Sequence, residues 1–170
     1  MENLDRSGLI SLHLYNVYAN NLVLDVAAGM TMDELSCQTS PSHGSGINLL
    51  RHMLGCEYFF LLLCMGTKPE ESDEEQPDPI RLREYFEVLA DRRVRYLKAV
   101  AEYELTTEIH VPAGKGEYTL PRWQLLAQSL IHSAHHRGEL SIVMTGLGHP
   151  LPTLDPLLMY IKESGQTWQS

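Results

Sequence analysis

The chain has 170 residues, of which 44% are hydrophobic and 21% are charged, a composition typical of one globular domain with a sizeable core. Its 13 basic and 22 acidic residues give a formal net charge of −9. This charge disfavours nonspecific binding to nucleic acid, because such binding depends on Lys and Arg side chains that contact phosphates.

Cysteine usage and the lack of export signals both point to the cytoplasm. Three cysteines without a CxxC pair suit reduced thiols rather than a disulfide framework. The N-terminus does not have the pattern of a signal peptide, and the strongest apolar run, Tyr58 to Met65, is too short to span a bilayer. We therefore expect a cytoplasmic protein without a membrane partner.

The first helix is expected from Leu9 to about Ala28. Its apolar residues Leu14 and Leu22 fall on one stripe, whereas Asn16 and Asn20 lie off that stripe. A short helical turn should follow, since the next residues contain a capping box.

A second helix is expected from Ile47 to Met65, after a connector rich in Ser, Gly and Pro at residues 39–46. Gly66 should end it. The capping box before the connector is formed by Thr31 and Glu34.

An acidic stretch precedes the third helix. We interpret it as a solvated loop, because a Ca²⁺ site would need spaced ligands and a glycine turn, and this run has no glycine. Its acidic residues are Glu70, Glu71, Asp73, Glu74, Glu75 and Asp78.

The third helix should begin with Asp78 as its N-cap and Pro79 as its first residue, and continue to about Glu104. Arg93 falls on the apolar stripe of this helix, and we expect it to be paired or to extend its charged end to solvent. The other residues of that stripe are Leu82, Phe86, Leu89 and Leu97.

Residues 106–119 form either a short hairpin or a loop, with Ile109 and Val111 in alternation with polar neighbours. Pro121 then opens the fourth helix, and Asp155 with Pro156 begins a short fifth one. Four long helices with short connectors predict an all-α fold, a four-helix bundle with a short extra C-terminal helix. We expect residues 1–170 to form one such domain.

The fourth helix carries the segment with the clearest chemical signal. Residues four apart on a helix lie about 40° apart on its surface, so His132 and His136 point the same way, close to His135 and Glu139. Both ends of this face are apolar and its middle is polar, which is typical of a site set into a bundle interior. The segment is not the zinc-protease motif, because Ser133 stands where the catalytic glutamate would be.

Two histidines on one helix do not complete a metal site, since catalytic zinc sites commonly have three protein ligands. The best third candidate is His52, because an unpaired imidazole on its apolar helix would be costly. Cys56, one turn further, is a rival ligand. A hydrogen-bonded core histidine remains the alternative for any one of them. The other histidines are His43 in the connector, His13 on the first helix, and His110 and His149, which flank turns and should face solvent.

The order and spacing of several motifs resemble the DinB/YfiT-like family of metal-binding four-helix bundles. The signature is the segment from His132 to Glu139, followed by an apolar turn and Gly-Leu-Gly at residues 146–148. The resemblance covers nearly the whole chain. Further similar segments are Tyr15 with Asn16 and Asn20, residues 49–54 around His52, residues 119–126, and residues 155–160.

The resemblance implies that His52, His132 and His136 are the metal ligands. Zn or Ni would be the favoured ions and Fe or Mn the alternatives, because imidazole suits several transition metals. It also implies two chemistries, metal-dependent hydrolysis or transfer of a low-molecular-weight thiol such as bacillithiol or mycothiol to a small-molecule substrate. Glu139 departs from the more usual Gln of the family and is a candidate general base, with Glu57 as a second one.

The alternative is a non-catalytic dimer with a structural metal and a stress-related binding role. A stripe of small residues on the fourth helix would let another helix approach closely. Its partner is either the first helix of the same chain or a second subunit, since some members of the family dimerise. The stripe consists of Ala134, Gly138, Ser141 and Thr145.

Overall fold

The computed structural model describes residues 3–67 and 77–168. The predicted acidic loop therefore lies outside the described residues, except for Asp78, which is the N-cap of a helix and accepts a hydrogen bond from the backbone N–H of Arg81 at 2.9 Å. All ranges below refer to this described part of the chain.

Four long helices pack into a bundle, and three short elements connect or follow them. The long helices are α1 (Arg6–Ala28), α3 (Gly46–Met65), α4 (Pro79–Ala99) and α5 (Arg122–Gly146). The short helices are α2 (Met32–Ser36), α6 (Pro156–Glu163) and a 3-10 turn (Glu102–Thr106). The predicted all-α bundle with an extra C-terminal helix is confirmed.

Of the two alternatives for residues 106–119, a hairpin and a loop, the structure has the hairpin. Strand β1 (Glu108–Ala113) pairs antiparallel with β2 (Gly116–Pro121), and Pro121 ends the strand next to the first residue of α5. The two-residue connection contains Gly114 with a φ of +58°, a left-handed conformation that glycine adopts without steric cost.

Local capping signals account for most of the helix ends. The capping box of Thr31 and Glu34 is formed, and Gly66 ends α3 in the left-handed conformation with a φ of +67°. The predicted end of the third helix at Glu104 was wrong, since α4 stops at Ala99. The Glu104 carboxylate instead accepts the backbone N–H of Ala101 at 2.9 Å and helps form the 3-10 turn.

Two apolar clusters lie at opposite ends of the bundle and polar residues separate them. One cluster includes Leu24, Leu49, Met53 and Leu140, and the other includes Leu9, Leu61, Leu97 and Trp123. Between them along the helices lies a polar layer that contains the predicted histidine site and a buried ionic cluster. The buried polar residues of this layer are His13, Asn16, Asn20, Glu57, Arg93, Ser129, Ser133, His136 and Arg137.

The face of α1 that points inward is not the predicted apolar stripe. Leu14 is 48% exposed, whereas Asn16 and Asn20 are 1% and 5% exposed. The asparagines are buried because charged residues on other helices form hydrogen bonds with their amide groups. These residues are Glu57 on α3 and Arg137 on α5.

The small-residue stripe of α5 does not pack against α1. Ala134, Gly138 and Thr145 are exposed, and a side chain at Gly138 would meet nothing within 4 Å. Ile131 and Ile142 lie on the same side and are 59% and 77% exposed. The interpretation that the first helix covers this stripe is therefore wrong, because α1 contacts α5 beside the stripe, where Arg137 donates to Asn16 and Asn20.

By length and composition the whole of α3, and not only its segment Tyr58 to Met65, is long and apolar enough to cross a membrane. One such helix is weak evidence, because the core helix of a bundle passes the same test. Here the helix buries apolar residues in both clusters and also buries Glu57, which fits a core helix.

Candidate metal centre

The fold places His132 beside both of the other predicted metal ligands, and it groups His52 with His136 and with His132 in two overlapping sets of potential ligands. The Nε2 atom of His132 on α5 lies 3.2 Å from Nε2 of His52 on α3 and 3.1 Å from Nε2 of His136. His136 is buried at 5% exposure, and the other two rings are half-buried. One turn of α5 separates His132 from His136, and the packing of α3 on α5 supplies the third ring.

These spacings suit a shared cation. Two nitrogens bound to one zinc ion at about 2.0–2.1 Å in a tetrahedral arrangement lie roughly 3.3 Å apart. A neutral imidazole has a single N–H, so the close Nε2 atoms cannot all be satisfied by hydrogen bonds to one another. A cation among them would accept all three lone pairs.

In the part of the chain that the structure describes, the other nitrogen of these rings, Nδ1, has no hydrogen-bond partner in two of the three histidines. Among the described residues, Nδ1 of His132 and Nδ1 of His136 are buried without a hydrogen-bond partner. The carboxylate of Glu139 lies close to Nδ1 of His136, with its Oε2 at 3.7 Å. Unpartnered polar atoms are costly in a protein interior, and an ion at the Nε2 atoms would leave these two Nδ1 atoms without a partner.

The surroundings keep the three rings neutral. Burial and neighbouring histidines lower the pKa of His52, His132 and His136, because a positive charge on one ring would be poorly solvated and would repel the others. Neutral imidazole is the form that binds metal ions, so the cluster is ready for a cation at neutral pH.

Glu139 is close to the site, but its oxygens are occupied by the loop before α3. Oε1 accepts hydrogen bonds from Ser40 Oγ at 2.6 Å and from the Ser42 backbone N–H at 3.1 Å, and Oε2 accepts one from Ser42 Oγ at 2.6 Å. Burial opposes ionisation, yet these hydrogen bonds lower the pKa of Glu139 to about 2. A catalytic role for Glu139 stays a prediction.

His43 also lies at the site, although the sequence analysis placed it in the connector and did not select it as a ligand. Its ring stacks on His52 with 3.9 Å between ring centroids, and it meets His136 edge-on at 5.1 Å. The ligand atoms of His43, His52 and His136 all lie within 4.8 Å of one another. No periodic pattern in the sequence indicates this position, because a loop rather than a helix positions the His43 ring.

Cys56 lies on the other flank of the cluster. Its Sγ is 3.6 Å from Nε2 of His52, and the ligand atoms of His52, Cys56 and His132 lie within 4.8 Å of one another. Burial and the nearby Glu57 charge raise the pKa of the Cys56 thiol. The thiolate is thus disfavoured in the absence of a cation, and Cys56 remains a rival ligand.

Glu57, the second candidate base, is instead the centre of a buried ionic cluster. Its Oε1 accepts hydrogen bonds from Asn16, Asn20 and Ser133 at 2.9, 3.0 and 2.6 Å. Its Oε2 accepts one from Arg93 at 2.6 Å. The carboxylate is therefore fully engaged, and it explains why a serine occupies position 133.

Positive charges surround this carboxylate. Burial alone would raise the pKa of Glu57, but the charge of Arg93 and the hydrogen bonds outweigh it and hold the pKa below its usual value. Arg137 donates to the side-chain oxygens of Asn16 and Asn20 at 2.7 and 2.6 Å. The expectation that Arg93 is paired is confirmed, since it is 1% exposed and bonded to Glu57.

The remaining histidines lie away from the centre. His13 is buried at 2% exposure, and burial together with the Arg93 charge lowers its pKa to about 4. His110 is exposed, as expected, and lies 3.0 Å from Glu117. His149 is only partly exposed and lies 3.2 Å from Glu34, so its expected position in solvent was only partly correct.

Two solved structures share this fold. A DinB-like protein from Bacillus subtilis aligns with a TM-score of 0.63 and 20% identity, over 85% of this chain and 97% of its own. A DinB-like protein from Bacillus cereus ATCC 10987 aligns with a TM-score of 0.62 and 20% identity, over 86% of this chain and 95% of its own. At this identity the likeness shows the fold alone. No curated protein matches the chain.

The sequence profile of the DinB family matches residues 2–167, nearly the entire chain. Together with the cluster of histidines between α3 and α5, this match fits a metal-binding helical protein. This match over nearly the whole chain confirms the family that the sequence motifs resembled: the chain belongs to the DinB family.

Proposed function

We propose that the protein binds one divalent metal ion through His52, His132 and His136 and uses it in a reaction on a small molecule. The observation that carries the proposal is that Nε2 of His132 lies 3.2 Å from Nε2 of His52 and 3.1 Å from Nε2 of His136. Zn or Ni is the favoured ion, and Fe or Mn the alternative, because imidazole binds all of these ions.

The reaction class is hydrolysis or the transfer of a low-molecular-weight thiol. A bound divalent ion acts as a Lewis acid and favours the deprotonated form of a water or thiol. The neutral rings of His52, His132 and His136 would hold the ion, and burial of His136 limits access of bulk solvent on the side of the bundle interior.

Glu139 is proposed to support this site as a positioning residue or as a base. Its carboxylate is ionised at neutral pH and lies 3.7 Å from Nδ1 of His136, where it favours a proton on that nitrogen and leaves Nε2 free for a metal. Its three hydrogen bonds to the loop favour the positioning role over the role of a general base.

A second candidate function is a non-catalytic bundle with a structural metal. One observation favours it: His43 and Cys56 flank the three-histidine group, so that a fourth protein ligand is at hand on either side. Structural zinc sites commonly have four protein ligands, whereas catalytic sites keep one position open.

Metal analysis tests the proposal. Protein purified without a nickel column and supplied with divalent ions should contain about one ion per chain, as a three-ligand site predicts. His136→Ala should lose it, because the buried ring that completes the site is removed.

His110→Ala is the matched control, since His110 is exposed on the hairpin and pairs only with Glu117 among the described residues. This variant should keep its metal. A wild-type protein that stays metal-free under replete conditions would sink the proposal. If metal binds but neither hydrolysis of model esters nor thiol transfer to electrophiles occurs, the structural role is favoured.

A homodimer is our proposal for the exposed face of α5, where Ile131, Gly138 and Ile142 lie side by side. A cytoplasmic location, the single domain and a small-molecule substrate likewise stay predictions.

A further inference from the structure

Hydrogen bonds to the carboxylate of Glu139 connect the loop of residues 39–45 to α5. Glu139 accepts hydrogen bonds from both Ser40 Oγ and Ser42 Oγ at 2.6 Å, and from the Ser42 backbone N–H at 3.1 Å. Ser40 Oγ in turn accepts the backbone N–H of His43 at 3.1 Å. These hydrogen bonds fix the backbone at residues 40–43, and so the position of His43, in the absence of a ligand.

The same hydrogen bonds decide which nitrogen of His43 carries the proton. Ser42 Oγ lies 2.6 Å from Oε2 of Glu139 and 2.6 Å from Nδ1 of His43. The hydroxyl has a single proton and a carboxylate only accepts, so that proton goes to Glu139. Nδ1 of His43 must then donate to Ser42 Oγ, which leaves Nε2 with a free lone pair.

This tautomer is the one that a metal-binding imidazole requires. Metal ligands of this type commonly donate their other N–H towards a carboxylate, either directly or through an intermediate group. His43 also has the right position, because its ring stacks on His52 at 3.9 Å and its ligand atoms lie within 4.8 Å of those of His52 and His136.

We propose that His43 is an additional protein ligand of the metal centre, beside His52 and His136, and that Glu139 sets its tautomer through Ser42. The inference rests on the proposed function, since it requires that an ion binds to the histidine group. With His43 bound, one fewer position on the ion is open to a substrate. Because a loop carries His43, this ring can leave the ion without a shift of the helices.

Cobalt binding tests the inference without any measurement of activity. The metal-free protein is titrated with Co²⁺ alone, and visible absorption and competition with a chelator are recorded. Four-coordinate Co²⁺ absorbs several-fold more strongly than six-coordinate Co²⁺. We expect His43→Ala to lose most of this absorption and to bind Co²⁺ at least about tenfold more weakly, the lower end of what loss of a supporting group costs at metal sites.

Two variants serve as references. Ser42→Ala keeps the His43 ring but removes its link to Glu139, and it should weaken binding less than His43→Ala does. His110→Ala should match the wild type, because that ring lies on the hairpin.

Three outcomes would overturn the inference. An unchanged spectrum and affinity in His43→Ala would show that the loop histidine is not a ligand. A near-ultraviolet thiolate-to-cobalt band that disappears in Cys56→Ala would assign the fourth position to Cys56. A wild-type protein that does not bind Co²⁺ would defeat the proposed function itself, and this inference with it.

Discussion

The polar layer of the bundle contains two regions that are built in opposite ways. Around Glu57, one carboxylate receives four side-chain hydrogen bonds from three other helices, and its partners are almost fully buried. In the region around His132, the Nε2 atom of this ring lies 3.2 Å from Nε2 of His52 and 3.1 Å from Nε2 of His136. The Glu57 carboxylate is fully paired, although Nε of Arg93 and Nη2 of Arg137 near it have no hydrogen-bond partner among the described residues, whereas Nε2 of His132 has only other imidazole nitrogens beside it.

This difference shows how a buried polar cluster that stabilises a bundle can be told apart from one that binds a ligand. Both regions place ionisable groups between α3 and α5, and position along the helix does not distinguish them. The atoms at the centre of each region do: both oxygens of Glu57 have protein donors, whereas Nε2 of His132 faces two other imidazole nitrogens, an arrangement that a bound cation would stabilise.

The largest expected effect would come from loss of the Glu57 charge. Glu57→Gln leaves Arg93 buried at 1% exposure without its counter-charge, and we expect a loss of about 3–5 kcal/mol in the free energy of unfolding. Urea unfolding at pH 7 measures it. Glu84→Gln is the control, since that residue forms an exposed pair with Arg81 and should leave the midpoint unchanged. Equal losses in both variants would remove the distinction between a buried and an exposed ion pair.

Acidification should act on the buried region through His13. Its pKa is lowered from 6.5 to about 4, so between these values the unfolded chain binds a proton that the folded chain does not. The stability that depends on neutral His13 is complete above pH 6.5 and is lost as the pH falls towards 4. At about 1.4 kcal/mol per pKa unit, the loss amounts to roughly 3 kcal/mol.

His13→Gln, which does not titrate, tests this pH dependence. The groups that face His13 and also affect the slope, Arg93, Glu57 and Asp91, are the same in both proteins. We expect the variant to show a shallower loss of unfolding free energy over this range. Identical slopes in the variant and the wild type would contradict a buried, neutral His13.

Metal should stabilise the histidine region and leave the ionic cluster unaffected. Zn²⁺ at a free concentration of about 100 times its dissociation constant should raise the free energy of unfolding by about 2.7 kcal/mol. The gain should vanish in His136→Ala and persist in His110→Ala, as measured by urea unfolding with and without Zn²⁺. Stabilisation of the same size in His136→Ala would place the ion elsewhere.

The helices and the three predicted ligands followed from local signals. Capping residues such as Thr31, Asp78 and Gly66 mark helix ends through nearby backbone groups, and the spacing of His132 and His136 places both rings on one face. Such features depend on only a few neighbouring residues, which is why the sequence reveals them.

The inward face of α1 and the position of His43 did not follow from the sequence. Asn16 and Asn20 are polar and were therefore expected outside the apolar stripe. They are nevertheless buried, because they form hydrogen bonds with Glu57 and Arg137 from distant parts of the chain. His43 depends on Glu139, 96 residues later, through hydrogen bonds of Ser42. These placements result from tertiary contacts that no local pattern encodes. Arg93 on an apolar stripe was the one visible hint of a buried partner.

The hydrogen bond from Ser133 to Glu57 has a consequence for how this protein tolerates change. It joins α5 next to His132 to α3 one turn beyond His52, so it locks the axial register of the two helices independently of the loop that carries His43. Insertions or substitutions in that loop should therefore alter what enters the site while the helical scaffold stays intact. For protein engineering, the loop is the part to randomise when a new ligand set or substrate is sought.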